Sequence, residues 1–145
     1  MITRFFLANA VALFLVSSAS AQTPEWIWHD NKGVAPAARE VRFFRKTFSA
    51  EPGVRRAVLM AAGDDQAAVF LNGKQVLVSR SWNKAVTGNV LSDLREGENV
   101  LAVRGQNGSG DAAVILRLEL TGPDRKKTYI VTDTSWISSA EDVSG

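Results

Sequence analysis

Residues 63–82 read GDDQAAVFLNGKQVLVSRSW. At their centre Asn72-Gly73 is the strongest short hairpin signal, because a two-residue type I′ turn needs positive φ at both central positions. On that turn Leu71 is expected to face Lys74, Phe70 to face Gln75, Val69 to face Val76 and Ala68 to face Leu77. Val69 and Val76 then share one face of the hairpin, Phe70 and Leu77 the other. Apolar groups on both faces predict a hairpin inside a sandwich rather than at an exposed edge.

Short strand signals continue on both sides. Upstream, Pro24-Glu25-Trp26-Ile27-Trp28 reads as an aromatic strand, followed by a loop from His29 to Ala38. Glu40 to Phe48 is rich in strand formers. Its Phe43 and Phe44 are adjacent and so must point to opposite faces. After the turn Glu51-Pro52-Gly53, the run Ala57 to Ala62 suits a strand buried on both faces. Downstream, Trp82 to Asn89 reads as a polar loop and Arg95 to Asn99 as a turn. Asn99 to Val103 reads as a strand, and Gln106 to Gly110 as a flexible connection. Ala112 to Thr121 alternates most cleanly, with Val114, Leu116, Leu118 and Leu120 on one face. Tyr129 to Thr132 adds a last short strand. No helix of ten or more residues is indicated beyond the N-terminal segment. Seven or eight short strands separated by turn signals predict an all-β fold, an antiparallel β-sandwich.

The first 21 residues have the layout of a signal peptide: Arg4, an apolar run from Phe5 to Val16, then Ala19-Ser20-Ala21 as a cleavage site. The apolar run is short for a membrane span of about 20 residues; an uncleaved anchor is the alternative. Cleavage after Ala21 would leave Gln22 first and send the chain to the periplasm or the exterior. There is no cysteine, so thiolate metal sites, iron–sulfur clusters and cysteine nucleophiles are excluded. The net charge is +2, and Arg125-Lys126-Lys127, just after Gly122-Pro123-Asp124, reads as a solvated turn. That argues against nucleic acid as a partner, which would want a broader basic stripe with interleaved aromatics. No membrane partner is expected after cleavage.

The order of these signals carries a resemblance. Trp26-Ile27-Trp28 is followed by Phe44-Arg45-Lys46 and Phe48, then by Ala57, Leu59 and Asp64-Asp65. Phe70-Leu71-Asn72-Gly73-Lys74 and Trp82 come next. Leu94, Gly97 and Asn99-Val100-Leu101-Ala102-Val103 follow, and Thr132-Asp133 with Ser135-Trp136 closes the series. This pattern resembles the galactose-binding-like jelly-roll module at the front of secreted α-L-rhamnosidases, over Pro24 to about Trp136. The resemblance implies a module of residues 22–137 with an ancillary, non-catalytic role. A polar tail, 138–145, would run on into a longer parent with a downstream catalytic domain. Such modules bind carbohydrate, hold a structural calcium, or only pack against a catalytic domain of glycosidase or dehydrogenase type. The matched residues are mainly fold determinants and do not carry over as a binding site.

Asp64 and Asp65 are the obvious carboxylate pair. Glycosidases need two carboxyls flanking a cleft, about 5 Å or about 6.5–9.5 Å apart. Adjacent residues in a turn more readily accept local backbone N–H bonds, so a turn role leads. A calcium or sugar role for one of them is the alternative. His29, the only histidine, reads as a surface residue. Trp26 and Trp28 share parity and are expected to plug the core, with a sugar-stacking platform as the alternative. Trp82 follows Ser79-Arg80-Ser81 and precedes Asn83-Lys84; an aromatic among hydrogen-bonding loop residues suits a ligand contact, though packing over a sheet edge suits it too. Candidate carbohydrate contacts are therefore Trp82, Arg80, Asn107 and Asp65, with Asp111 at the same end. No cofactor beyond that calcium is implied.

Overall fold

The computed structural model describes residues 22–142, so the expected leader and the last three residues lie outside the described residues. Nine strands form among them: β1 Val41–Ala50, β2 Arg56–Asp64, β3 Gln66–Leu71, β4 Lys74–Ser79, β5 Val86–Asn89, β6 Gly97–Gln106, β7 Ala113–Thr121, β8 Lys127–Val131 and β9 Ile137–Ser139. One 3₁₀ turn, Leu91–Asp93, interrupts them. The strands build a five-stranded sheet, β4-β3-β6-β1-β9, and a four-stranded sheet, β5-β2-β7-β8. Every pairing is antiparallel.

The two sheets share one core. Phe44, Val69, Leu71, Leu101 and Val103 face inward from the larger sheet; Leu59, Leu116, Leu118 and Leu120 meet them from the smaller. β7 shows the cause plainly: Val114, Leu116, Leu118 and Leu120 are all buried, as the two-residue period of a pleated strand requires. Full burial of one such leucine stabilises the fold by roughly 1.5–3 kcal/mol. β2 departs from expectation. Ala57, Leu59, Ala61 and Ala62 are buried, but Val58 is half-buried and Met60 is exposed, so the strand is not buried on both faces. The outer side of this sheet has no third layer among the described residues.

The Asn72-Gly73 turn forms as expected, with φ of 51° and 85°. The register holds for Leu71↔Lys74 and Phe70↔Gln75, then shifts by one: Val69 pairs with Leu77 and Ala68 with Val78. An extra residue on β4 makes this a β-bulge. The shift turns Leu77 toward the core face that Val69 occupies, and Leu77 Cδ1 reaches β5 at Gly88. The hairpin is also not internal as expected, since β4 is an edge strand of its sheet.

Asn72 does more than turn the chain. Its Nδ2 donates to Asp93 O (3.0 Å) and to Asn99 Oδ1 (2.9 Å), and its Oδ1 accepts from Val100 N–H (3.0 Å). Asn99 is buried; it donates to Arg95 O and Gly97 O and accepts from Arg95 N–H. The spacing of Asn72, Gly97 and Asn99 thus satisfies backbone groups that two adjoining turns would otherwise leave unpaired.

Two segments expected to be irregular are strands. Val86–Asn89, placed in the polar loop after Trp82, pairs with Val58 to Ala61. Ile137–Ser139, at the end of the expected module and the start of its polar tail, pairs with Phe43 to Arg45. Both are short and mostly polar, so alternation could not reveal them. The Trp26–Trp28 segment is not a regular strand: Ile27 makes a single bridge to Val114.

Candidate functional site

The chain passes from one sheet to the other through a single residue, Asp65, between β2 and β3. The Asp64–Asp65 peptide is cis. Gly63 is needed there, because a Cβ on it would lie 2.6 Å from the backbone N of Ala67. Beside this corner, Gln66 pairs with Gln106 and Ala67 with both Gly105 and Ser79. Register therefore brings Asp65, Asn107 and the exit of β4 toward Arg80 and Trp82 to the same end of the sandwich.

At that end the polar residues bind the protein itself. Asp65 Oδ2 accepts the Gly108 N–H at 2.5 Å, the turn role that its local sequence favoured. Asn107 is fully buried; its Nδ2 donates to Ala37 O (3.0 Å) and Gly110 O (3.4 Å), and its N–H donates to Glu40 O (2.9 Å). Burial raises the Asp64 carboxyl above the usual carboxylate range, and the neighbouring charges of Asp65 and Asp111 push it the same way. No group of three or more His, Asp or Glu among the described residues is arranged to hold a metal ion. Trp82 is 60% exposed and Arg80 is exposed; neither side chain makes a hydrogen bond or ion pair among the described residues. Of the four candidate sugar contacts, Asn107 is buried with its Nδ2 on backbone carbonyls, Asp65 is exposed with Oδ2 on the Gly108 N–H, and Arg80 and Trp82 face solvent.

The aromatic pair near the N-terminus splits. Trp26 is 47% exposed, so the core position expected for it is wrong. Trp28 lies inward against Phe44, ring centres 5.5 Å apart, and over Gly105. With only one bridge, this stretch lacks the pleat that would put both rings on one face. Glu40 fixes Trp28: its Oε1 accepts from Trp28 Nε1 (3.2 Å) and its Oε2 from Ala37 N–H (2.9 Å). Arg42 Nε stands 2.9 Å from Glu40 Oε1, an ion pair whose N–H direction misses hydrogen-bond geometry. The Ala37 bond first, then Trp28, Asn31 and Arg42, hold this carboxyl below its ordinary range against the opposing effect of burial. His29 is half-buried rather than a plain surface residue, with Nδ1 2.9 Å from Ser138 Oγ. Among the described residues no carboxylate completes that pair into a triad.

A groove that the candidate residues do not touch lies on the outer face of the five-stranded sheet. Its volume is ≈ 600 Å³. Register shows how it forms. Phe70, Ala102, Arg45 and Ile137 stand in one row across β3, β6, β1 and β9. Arg104, Phe43 and Ser139 occupy the next row on the same face. Asn72, Gly73, Val100 and Arg95 close one end, and Asp142 is the one carboxylate in the lining among the described residues. The signal for this face was present in the adjacent Phe43 and Phe44 and in the two-sided apolar hairpin. The two-sided hairpin is expected inside the sandwich, whereas its Phe70 lines an open surface together with Phe43.

No family model matches the chain. A curated α-L-rhamnosidase of Streptomyces avermitilis is 31% identical over 135 residues, covering 86% of this chain and 13% of its own length. The crystal structure of the α-L-rhamnosidase of that species, complexed with L-rhamnose, superposes with a TM-score of 0.73 at 30% identity; it covers 82% of this chain and 12% of the enzyme. The chain matches the N-terminal domain of α-L-rhamnosidases. A GH78 family rhamnosidase of Bacillus sp. GL1 gives a TM-score of 0.68 at 27% identity, over 81% of this chain and 13% of the enzyme. The Pleurotus ostreatus lectin shares the fold, with a TM-score of 0.67 at 24% identity over 80% of this chain and 35% of the lectin. The chain thus spans about an eighth of the length of the rhamnosidases it matches.

Proposed function

We propose that this chain is a non-catalytic, glycan-directed module of a rhamnosidase-type enzyme, a galactose-binding-like jelly roll that holds carbohydrate for a catalytic domain elsewhere in a longer parent. The carrying observation is the 30% identity to a rhamnosidase that extends over 82% of this chain but only 12% of the enzyme. The loop end supports it, since Asp64 and Asp65 adjoin one another at a sheet corner and Asp65 is committed to a backbone N–H. Paired glycosidase carboxyls instead face each other across a substrate. Export by cleavage after Ala21 belongs to the same reading; mass spectrometry of exported protein should find Gln22 at the N-terminus.

The test is affinity electrophoresis through immobilised plant and bacterial polysaccharides, together with turnover assays on aryl rhamnosides. Retardation without turnover is expected. Turnover by the purified chain, lost in Asp65→Asn, would refute the non-catalytic reading. A docking module with no ligand of its own is the second reading. Ile137 favours it: the side chain is 72% exposed at the margin of an apolar groove, as a protein contact would want.

A further inference from the structure

The outer groove sets two aromatic rings apart on a diagonal. Phe70 on β3 pairs with Ala102 on β6, which pairs with Arg45 on β1. Phe43, two residues before Arg45 on β1, pairs with Arg104 on β6. The two phenylalanines therefore lie two strands and two residues apart, about 12 Å at the spacings of a pleated sheet. Between them Ala102 offers only a methyl group. Arg104 Nη1 donates to Gln106 Oε1 (3.1 Å), the next outward residue of β6 on the side away from Ala102. Both rings are half-buried and line the groove, whose volume is ≈ 600 Å³. Each ring also has hydrogen-bonding neighbours across the sheet: Arg104 and Ser139 beside Phe43, Gln75 beside Phe70. An aromatic surface edged by such groups matches a sugar, which carries C–H groups on its ring faces and hydroxyls on its rim.

We propose that this groove binds an extended oligosaccharide, with one sugar over Phe70, another over Phe43 and a unit bridging them above Ala102. The proposal rests on the glycan-directed reading above. It adds that chain length is what is read, on the sheet face and away from Trp82. The spacing of the rings carries it. One pyranose ring cannot reach both phenylalanines, and two directly linked rings fall short of the diagonal. The volume agrees, since it falls within the range of about 300–1,000 Å³ that takes ligands larger than a single sugar. Hydrogen-bonding groups along the track can fix the orientation of the chain. Arg104 has five N–H donors and retains some after its bond to Gln106. Ser139 Oγ accepts the Glu141 N–H and keeps its own O–H for a sugar oxygen.

The test starts from affinity electrophoresis on immobilised rhamnogalacturonan, arabinogalactan, xylan and mixed-linkage β-glucan. The whole chain is then titrated calorimetrically with a size ladder, one to six units, cut from the polysaccharide that retards it most. Affinity should climb up to the third unit, to about tenfold above the single sugar, and then level off, a second aromatic contact being worth about that much. Phe43→Leu and Phe70→Leu keep an apolar side chain and remove the flat face. Each should weaken the trimer by roughly tenfold and flatten the dependence on length. Arg104→Gln leaves the floor intact and should weaken the trimer by roughly threefold to tenfold. Unchanged thermal melting would confirm that the variants fold. Trp82→Ala should bind like wild type. A single sugar that binds as tightly as the trimer would overturn the proposal, as would wild-type affinity in the leucine variants. Loss in Trp82→Ala with retention in the leucine variants would keep the glycan reading and sink the groove. Absence of retardation on all four polysaccharides would sink both.

Discussion

The loop end of the sandwich and its outer groove carry similar residue types, yet their polar groups do different work. At the loop end Asp65 and Asn107 are tied to Gly108, Ala37 and Gly110. Their geometry is set by backbone groups that would otherwise be unpaired. In the groove Arg45 and Arg104 project from strands whose backbones already pair with neighbours, and Arg95 from the turn before β6. Polar residues at a chain reversal are claimed first by the backbone there; side chains on a sheet face are under no such demand from their own strand.

That contrast can be broken by substitution. The largest effect should come from Gly63→Ala at the sheet corner. Its Cβ would meet backbone atoms of Gln66 and Ala67 at 2.6–2.7 Å, and neither can yield without moving β3. We expect a loss of roughly 3 kcal/mol or more in urea denaturation; a loss below about 1 kcal/mol would mean that the corner is softer than it looks. Asn107→Ala should cost about 2 kcal/mol, since it leaves Ala37 O without its partner inside the fold. It should leave glycan affinity untouched if the loop end is structural.

Acid should act through Glu40. Its carboxyl is held low by the Ala37 N–H, with Trp28, Asn31 and Arg42 assisting. A folded-state pKa below the unfolded one means stability that is complete above the ordinary carboxylate range and lost as pH falls through the folded value. Asp133 is lowered too, chiefly by the Ser135 hydroxyl, and adds in the same direction. Glu40→Gln should therefore lower the melting temperature at pH 7 and flatten its decline below about pH 4.5. A parallel decline in wild type and variant would remove Glu40 as a cause.

Asp64 has the opposite sign. Burial and the charges of Asp65 and Asp111 raise its pKa, so its ionised form disfavours the fold once pH rises through the raised value. Asp64→Asn should lift the melting temperature by roughly 1–2 °C at pH 7 and by less at pH 4. The smallest effect should be that of Trp82→Ala, within about 0.5 kcal/mol of wild type, because the ring is 60% exposed.

Much of the fold was legible because its chemistry is local. Asn72-Gly73 turns as its residue types demand, and the even positions of Val114 to Leu120 are buried. The strand Val86–Asn89 was not legible, since a polar edge strand owes its form to β2 rather than to its own pattern. The bulge opposite Val69 was hidden too, because a hairpin turn sets register only until an extra residue intervenes. For the candidate site, proximity was legible: Asp65, Asn107 and the Arg80–Trp82 exit do share one end of the sandwich. What each side chain binds was not, because the partners of Asn107 are backbone atoms of Ala37 and Gly110. The groove required knowing which four strands lie side by side, an order set by long-range pairing.

The contrast is tested most directly by amide chemical-shift mapping of the ¹⁵N-labelled chain during titration with a glycan that retards it in affinity electrophoresis. Perturbations are predicted at Phe43, Arg45, Phe70, Ala102 and Arg104, on the outer sheet face. Perturbations confined to Arg80 through Lys84 and Gln106 through Asp111 would contradict the account and return recognition to the loop end.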